Sequence, residues 1–169
     1  MTKVAILIED DFNEDELIYP YHRLREEGFE VELVGSEPEE VYYSKAGYSR
    51  KSDICTTGAK PEDYAAVFIP GGYSPDHMRV NENTVKFVNE IYKAGKPVGA
   101  ICHAGWMLAE SIDIKGKKLT SVPNIKTDLI NAGANWVDEE SVVDGNLVTG
   151  RTPKDLAPMV KDFIDLIKK

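Results

Sequence analysis

Four short apolar runs constrain the fold of this chain more than any other feature. They are "KVAILIE" (Lys3–Glu9), "FEVELVG" (Phe29–Gly35), "YAAVFIPGG" (Tyr64–Gly72) and "PVGAIC" (Pro97–Cys102). Runs of this length with little polar interruption are typical of strands covered on both faces, as in a parallel sheet. Segments of helical character separate them. Asn13 is placed to cap a helix running to about Glu27, with Gly28 as its stop and Pro20 as the site of an expected bend or break. "NENTVKFVNEIYKAGK" sets Val85, Phe87, Val88 and Ile91 on or near one helical face and ends at Gly95. "HAGWMLAES" reads as the helix after the fourth run.

"VYYSKAGYSRKSDIC" reads as an excursion with one or two strands, "KKLTS" as a short strand, and "VPNIKTDLINAG" as a helix closed by Gly133. In "ESVVDGNLVTG", Asp144-Gly145 between β-rich flanks predicts a hairpin turn. Thr152-Pro153 predicts the start of a C-terminal helix, with Thr as N-cap. Strands alternating with helices predict one α/β domain over residues 1–169, with a mostly parallel central sheet. No internal repeat, low-complexity segment or linker interrupts it.

The composition excludes several function classes. At 169 residues, 42% hydrophobic and 29% charged, the chain can build a full core. The net charge of −9 disfavours non-specific nucleic-acid binding, which depends on cations neutralising phosphates. The apolar runs are too short to cross a bilayer, and acids follow the first one at once, unlike a signal peptide. A cytoplasmic protein is the expectation. Cys55 and Cys102 lie far apart, with no C-x-x-C and no ligand-spaced Cys/His cluster, so no metal is expected.

In α/β folds chemistry gathers at the C-terminal ends of strands. Three features fall there: the acids Glu14, Asp15 and Glu16, the pair Gly71-Gly72, and Cys102-His103. A buried strand running straight into a helix makes a tight turn whose apex residue is pushed out of the sheet. This nucleophile elbow needs small neighbours, and Gly99, Ala100, Ala104 and Gly105 surround Cys102. Unsatisfied N–H groups at a helix start would favour thiolate. Read locally, the pattern leaves Cys102 open between a nucleophile and an inert core thiol. His103 can meet the thiol only because an elbow is not yet helical. Gly71 and Gly72 fit either a plain turn or an oxyanion site. Acids early in a helix are favourable in any protein. An ionised carboxylate aimed at Cys102 would raise the thiol pKa, whereas a protonated one could donate to thiolate and lower it.

"FNEDELIYPYHRLREEG", "VFIPGGYSPDHMRVNE", "GKPVGAICHAG" and "DLINAGANWVDEESVVDGNLVTGRTPKDL" together resemble the PfpI family of intracellular proteases. That family belongs to a larger superfamily of cysteine-dependent stress proteins, deglycases and glyoxalases. The resemblance covers nearly the whole chain in order. It implies a flavodoxin-like three-layer α/β/α sandwich. It implies Cys102 as nucleophile, His103 as its partner, and Glu16 as the acid contacting the cysteine. Gly72 and the His103 backbone N–H would form the oxyanion site. The third triad member, a Glu supplied by a neighbouring subunit in the family proteases, corresponds to Asp76. The site would then be completed only in a homo-oligomer, a dimer or hexamer.

The chain departs from that pattern at Asp76, one methylene shorter than Glu. Asn13 stands where an acid is common, "CHAG" replaces Cys-His-Gly-Pro, and Val122 stands where the proteases often have Tyr. Cys102 and Glu16, shared by the whole superfamily, are intact. The primary expectation is a PfpI-type cysteine peptidase with a role in stress. The alternatives are a cofactor-free glyoxalase or deglycase acting on methylglyoxal-type aldehydes, and a redox-sensing or chaperone-like protein using the same cysteine. A glutamine amidotransferase is set aside because no histidine follows the elbow helix; the histidines are His22, His77 and His103.

Overall fold

The computed structural model covers residues Met1–Lys169. In chain order the elements are β1 (Lys3–Ile8), α1 (Glu14–Glu26), β2 (Glu30–Gly35), β3 (Val41–Tyr43), β4 (Ser49–Lys51), β5 (Ile54–Cys55), β6 (Ala66–Ile69), α2 (Ser74–Met78) and α3 (Glu82–Lys93). They continue as β7 (Val98–Ile101), a 3-10 turn at Cys102–Ala104, α4 (Gly105–Ser111), β8 (Lys118–Leu119), α5 (Lys126–Asn131), β9 (Asn135–Trp136), β10 (Val142–Asp144), β11 (Leu147–Gly150) and α6 (Leu156–Ile167).

Seven strands form the central sheet, in the order β10-β11-β7-β6-β1-β2-β5. Every pairing is parallel except β10 with β11, the hairpin at the edge. The strand period of two sorts the apolar runs onto two faces. Ala5, Leu7, Val67, Ile69, Val98 and Ala100 pack with α3, α4 and α5 on one side. Val4, Ile6, Ile8, Leu33, Ala66, Phe68 and Ile101 pack with α1 and α6 on the other. The fold is therefore the three-layer α/β/α sandwich expected from the sequence. The chain leaves β1 toward β2 on one side and returns as β6 on the other. That topological switch opens a crevice above the C-terminal ends of β1 and β6.

Several local expectations are adjusted. Helix α1 runs through Pro20 without a break, because Leu17, Pro20 and Leu24 are buried as one stripe. The excursion after β2 holds three short strands: β3 and β4 form an antiparallel pair, and β5 joins the main sheet. The hairpin turn is Gly145-Asn146, one residue later than expected, with Gly145 at φ +61. Strand β9 had no clear signal in the sequence; it exists by pairing with β8.

Gly99, in β7, shows how tightly the layers close beneath the elbow. A Cβ there would lie 2.8 Å from Phe68 Cδ2 and 3.0 Å from Phe163 Cδ2. Those two rings pack edge to face at 5.6 Å. We expect Gly99→Ala to destabilise the fold by about 1–3 kcal/mol, the usual range for overpacking a core, read as a lower midpoint in urea unfolding. An unchanged midpoint would show that the ring pair yields without loss.

Candidate active site

Strand β7 is buried along its whole length and leaves no room for a gradual exit. The chain turns at Cys102, which adopts φ +61. For a residue with a side chain this left-handed conformation costs on the order of 1–3 kcal/mol. The Val122 backbone N–H donates to the Cys102 carbonyl at 3.3 Å and helps hold the turn. The sulfur is thereby lifted from the sheet into the crevice, half-buried.

Gly71 and Gly72 end the neighbouring strand β6. A Cβ on Gly71 would lie 2.7 Å from Glu16 Oε1 and 2.8 Å from Cys102 Cβ. Gly72 has φ +69, and a Cβ there would lie 2.3 Å from the Asp11 carbonyl oxygen. Only glycine allows this approach at both positions. Of the three early acids, Glu16 alone enters the site. Asn13 caps α1 by accepting from the Glu16 N–H at 3.2 Å, which fixes the first turn. Glu14 instead accepts from the Ala46 N–H at 2.8 Å, and Asp15 faces solvent.

The Glu16 side chain is fully buried. Its Oε1 accepts from the Gly71 N–H at 3.1 Å, while Oε2 has no hydrogen-bond partner. Burial pushes its pKa up to about 7, against a smaller opposing pull from the N–H groups of Gly71 and Gly72 and from the Cys102 thiol beside it. Burial also pushes the Cys102 thiol up to about 12, and the charge of an ionised Glu16 adds to this. The N–H groups of His103 and Gly72, and the Lys45 cation, favour thiolate. The expected pull of a helix dipole is weak because α4 begins only at Gly105 and is seven residues long. The Gly71 N–H is engaged by Glu16, so the N–H groups facing the sulfur are those of Gly72 and His103. This narrows the expected oxyanion set.

His103 meets the thiol despite being adjacent in sequence, with Nδ1 3.4 Å from Cys102 Sγ. Its ring lies 5.5 Å from Tyr73 and 5.0 Å from Trp106, centroid to centroid. Burial, then the Lys45 charge, lowers its pKa, which keeps the imidazole neutral at pH 7. Asp76 does not join it within the chain. It sits on α2, exposed, and makes no side-chain hydrogen bond or ion pair. The nearby His77 pairs with Asp11 at 3.0 Å, outside the site. Cys55 is buried on β5, bonded to Thr57, and both cysteines are free thiols.

Two site residues carried no sequence signal. Lys45, in the β3–β4 turn, lies 4.8 Å over the Tyr73 ring and acts electrostatically on Glu16, Cys102 and His103. Trp106 reads in sequence only as a helix residue. No group of three or more His, Cys, Asp or Glu side chains is arranged to hold a metal ion. No helix is long and apolar enough to cross a membrane.

The model of the DJ-1/PfpI family matches residues 2–166. Deglycase PH1704 of Pyrococcus horikoshii is 44% identical over 166 residues, covering 98% of this chain and 99% of that protein. Deglycase PfpI of Pyrococcus furiosus is 42% identical over the same length and coverage. Among solved structures, the DJ-1/ThiJ/PfpI-like and ferritin-like two-domain protein of Anabaena variabilis superposes with a TM-score of 0.95 at 44% identity. That match covers 98% of this chain and 48% of the other. Drosophila melanogaster DJ-1beta gives 0.91 at 26% identity, covering 99% and 91%.

The Glu16 environment has a consequence for stability. Its folded pKa of about 7 lies above the ordinary 4.5, so the folded chain holds this proton after the unfolded chain has lost it. Its contribution to stability is complete below pH 4.5 and is lost as pH rises through about 7. Urea unfolding between pH 4.5 and pH 8 should show wild type losing about 3 kcal/mol relative to Glu16→Gln, at 1.36 kcal/mol per pKa unit. Parallel pH profiles for the two proteins would mean that Glu16 is ionised in the folded state.

Proposed function

The chain belongs to the DJ-1/PfpI family, and from that membership and the geometry of the site we propose that it is a cofactor-free, cysteine-dependent deglycase or glyoxalase acting on methylglyoxal-type aldehydes. One observation carries the preference over peptide cleavage. Within one chain, Cys102 has its acid, its facing N–H groups and a neutral imidazole, whereas His103 has no carboxylate to orient it. Aldehyde chemistry needs the first set. A peptidase triad needs Asp76 from a second copy. The names of the relatives in Pyrococcus support the same choice.

Glu16 and Cys102 share a buried space that accommodates one negative charge. With the proton on Glu16, the repulsion that adds to the burial penalty on the thiol is gone, and the N–H groups of Gly72 and His103 offset part of that penalty by stabilising thiolate. The sulfur adds to the aldehyde carbon, and the former carbonyl oxygen becomes the oxyanion of a hemithioacetal. The N–H groups that faced the sulfur lie beside that oxygen. Neutral His103 and the carboxyl of Glu16 carry the C–H proton to the adjacent carbonyl, leaving a thioester of the 2-hydroxy acid. Water hydrolyses the thioester, releasing the hydroxy acid and restoring Cys102. For methylglyoxal the net change is addition of one water to give lactate. When the aldehyde arrives as the hemiaminal of an amine, the C–N bond breaks as the amine takes a proton, and the C–S bond forms at the same carbon to give the same hemithioacetal with the amine free.

Cys102→Ala should abolish lactate formation from methylglyoxal; turnover surviving that change would remove the enzyme reading. Asp76→Ala should leave methylglyoxal turnover within about twofold, as for a surface change away from the reacting groups. If peptide cleavage is present in wild type and lost in Asp76→Ala while methylglyoxal is not turned over, the intersubunit peptidase is the better reading.

A further inference from the structure

The carbonyl of Cys102 and the N–H of His103 belong to one peptide unit. That unit is planar and trans, so its two polar ends point in opposite directions. The N–H end faces the Cys102 sulfur together with the Gly72 N–H. The C=O end accepts from the Val122 N–H at 3.3 Å, a bond that reaches the elbow from outside it. Whatever fixes the carbonyl therefore also aims the N–H. A carbonyl that accepts a hydrogen bond also polarises its peptide and strengthens the N–H as a donor.

Val122 ends a short strap, residues 118–122, that begins as β8 and runs beside the elbow. The strap is tied to its surroundings at each step. The Thr120 N–H donates to Thr149 Oγ1 on β11 at 2.9 Å. The Val137 N–H donates to the Leu119 carbonyl at 2.9 Å. The Trp136 indole N–H donates to Ser121 Oγ at 2.9 Å, and the Ser121 hydroxyl donates to the Val122 carbonyl at 2.8 Å. Thr149 pairs in register with Ala100, two residues before Cys102. The strap thus hangs from the strand beside β7 and ends on the elbow carbonyl. Thr120, Ser121 and Thr149 are each 1% exposed, so water does not compete for these bonds.

We infer that Val122 is a positioning residue: its backbone N–H, held by the strap, aims the His103 N–H at the reacting sulfur through the Cys102–His103 peptide. The inference rests on the role given above to the His103 N–H beside the thiolate and the oxyanion. Its donors and acceptors all lie within one chain.

Val122 has φ −55 and ψ 135 and precedes Pro123, so a proline fits its backbone and removes the N–H. The test compares Val122→Pro with Val122→Ala, which trims the side chain but keeps the N–H. Three quantities are read: the amide nitrogen shift of His103 by NMR, the rate at which iodoacetamide alkylates Cys102, and kcat and KM for methylglyoxal. Relative to Val122→Ala, Val122→Pro should move the His103 amide nitrogen upfield, as happens when the preceding carbonyl loses a donor. It should slow alkylation about threefold, because thiolate is less stabilised. It should lower kcat about tenfold with KM within about twofold. That is less than the roughly 10²–10³-fold loss on deleting an oxyanion donor, since the His103 N–H remains but is misdirected.

Thr149→Val and Thr149→Ser test the strap away from its end. Valine removes the acceptor of the Thr120 N–H, whereas serine keeps it. Thr149→Val should move all three quantities in the same direction by a smaller amount, and Thr149→Ser should restore them. This pair decides the matter if Val122→Pro does not fold.

An identical His103 nitrogen shift in Val122→Pro and Val122→Ala would overturn the inference. So would a shift that moves while alkylation and kcat stay constant, or equal losses in Thr149→Val and Thr149→Ser. If the shift and the alkylation rate respond as described while wild type turns over no aldehyde, the strap stands and the proposed reaction falls.

Discussion

A carboxyl group and a thiol confined to one buried space govern the rest of this structure. Either could ionise readily in water. Here burial raises both, and each charge penalises the other. The pair therefore accommodates one negative charge near neutral pH, and the position of the proton decides whether sulfur is nucleophilic. The unpartnered Oε2 of Glu16 fits this arrangement. A buried carboxylate oxygen without a partner would be expensive, whereas the neutral acid that burial favours carries a proton and no charge.

Around that pair the chain divides its chemistry unequally. The groups that face sulfur come from three adjacent strand ends and depend on close backbone approach at Gly71 and Gly72. The groups that face His103 are aromatic, Tyr73 from the turn before α2 and Trp106 from α4, with a lysine beyond. The second set differs most from the protease pattern: Asp76 is short and turned to solvent, and Gly105 seats a tryptophan under the imidazole. The departures lie on the side of the site that would distinguish peptide from aldehyde. The side that faces the sulfur, with Glu16 and the glycine pair, is intact.

The sandwich was legible in the sequence because its strands are short, apolar and punctuated, and helices with capping residues separate them. Asn13, Gly28 and Gly95 mark boundaries that the structure keeps. Strand β9 and the split of "VYYSKAGYSRKSDIC" into three strands were not legible, since those segments are strands only by virtue of their partners. In the site, Cys102, His103 and Glu16 could be singled out from strand ends and family resemblance. The choice of Glu16 over Glu14 and Asp15 then follows from helix phase, which the Asn13 cap sets. Lys45 and Trp106 were invisible because nothing local distinguishes a turn lysine or a helix tryptophan. Only the fold carries them to the histidine. The pull of a helix start on the thiol was overestimated from sequence, because a 3-10 turn intervenes between Cys102 and α4.

The strain in the crevice is mutually supported rather than scattered. Cys102 and Asp11 are both left-handed without being glycine, at φ +61 and +63. Asp11 receives the Tyr73 N–H on its carbonyl at 2.9 Å, directly after Gly72 passes against the same carbonyl. The loop after β1 therefore braces the glycine pair, and the glycine pair leaves the space that Cys102 and Glu16 occupy. Relaxing any one of these loops would move the others, so the left-handed cysteine cannot simply unwind. Such mutual bracing lets a marginally stable fold hold a residue in a sparsely populated conformation. It also confines the strain to the strand ends that carry Cys102 and the glycine pair, while the layers beneath, from Phe68 to Phe163, pack in an ordinary aromatic contact.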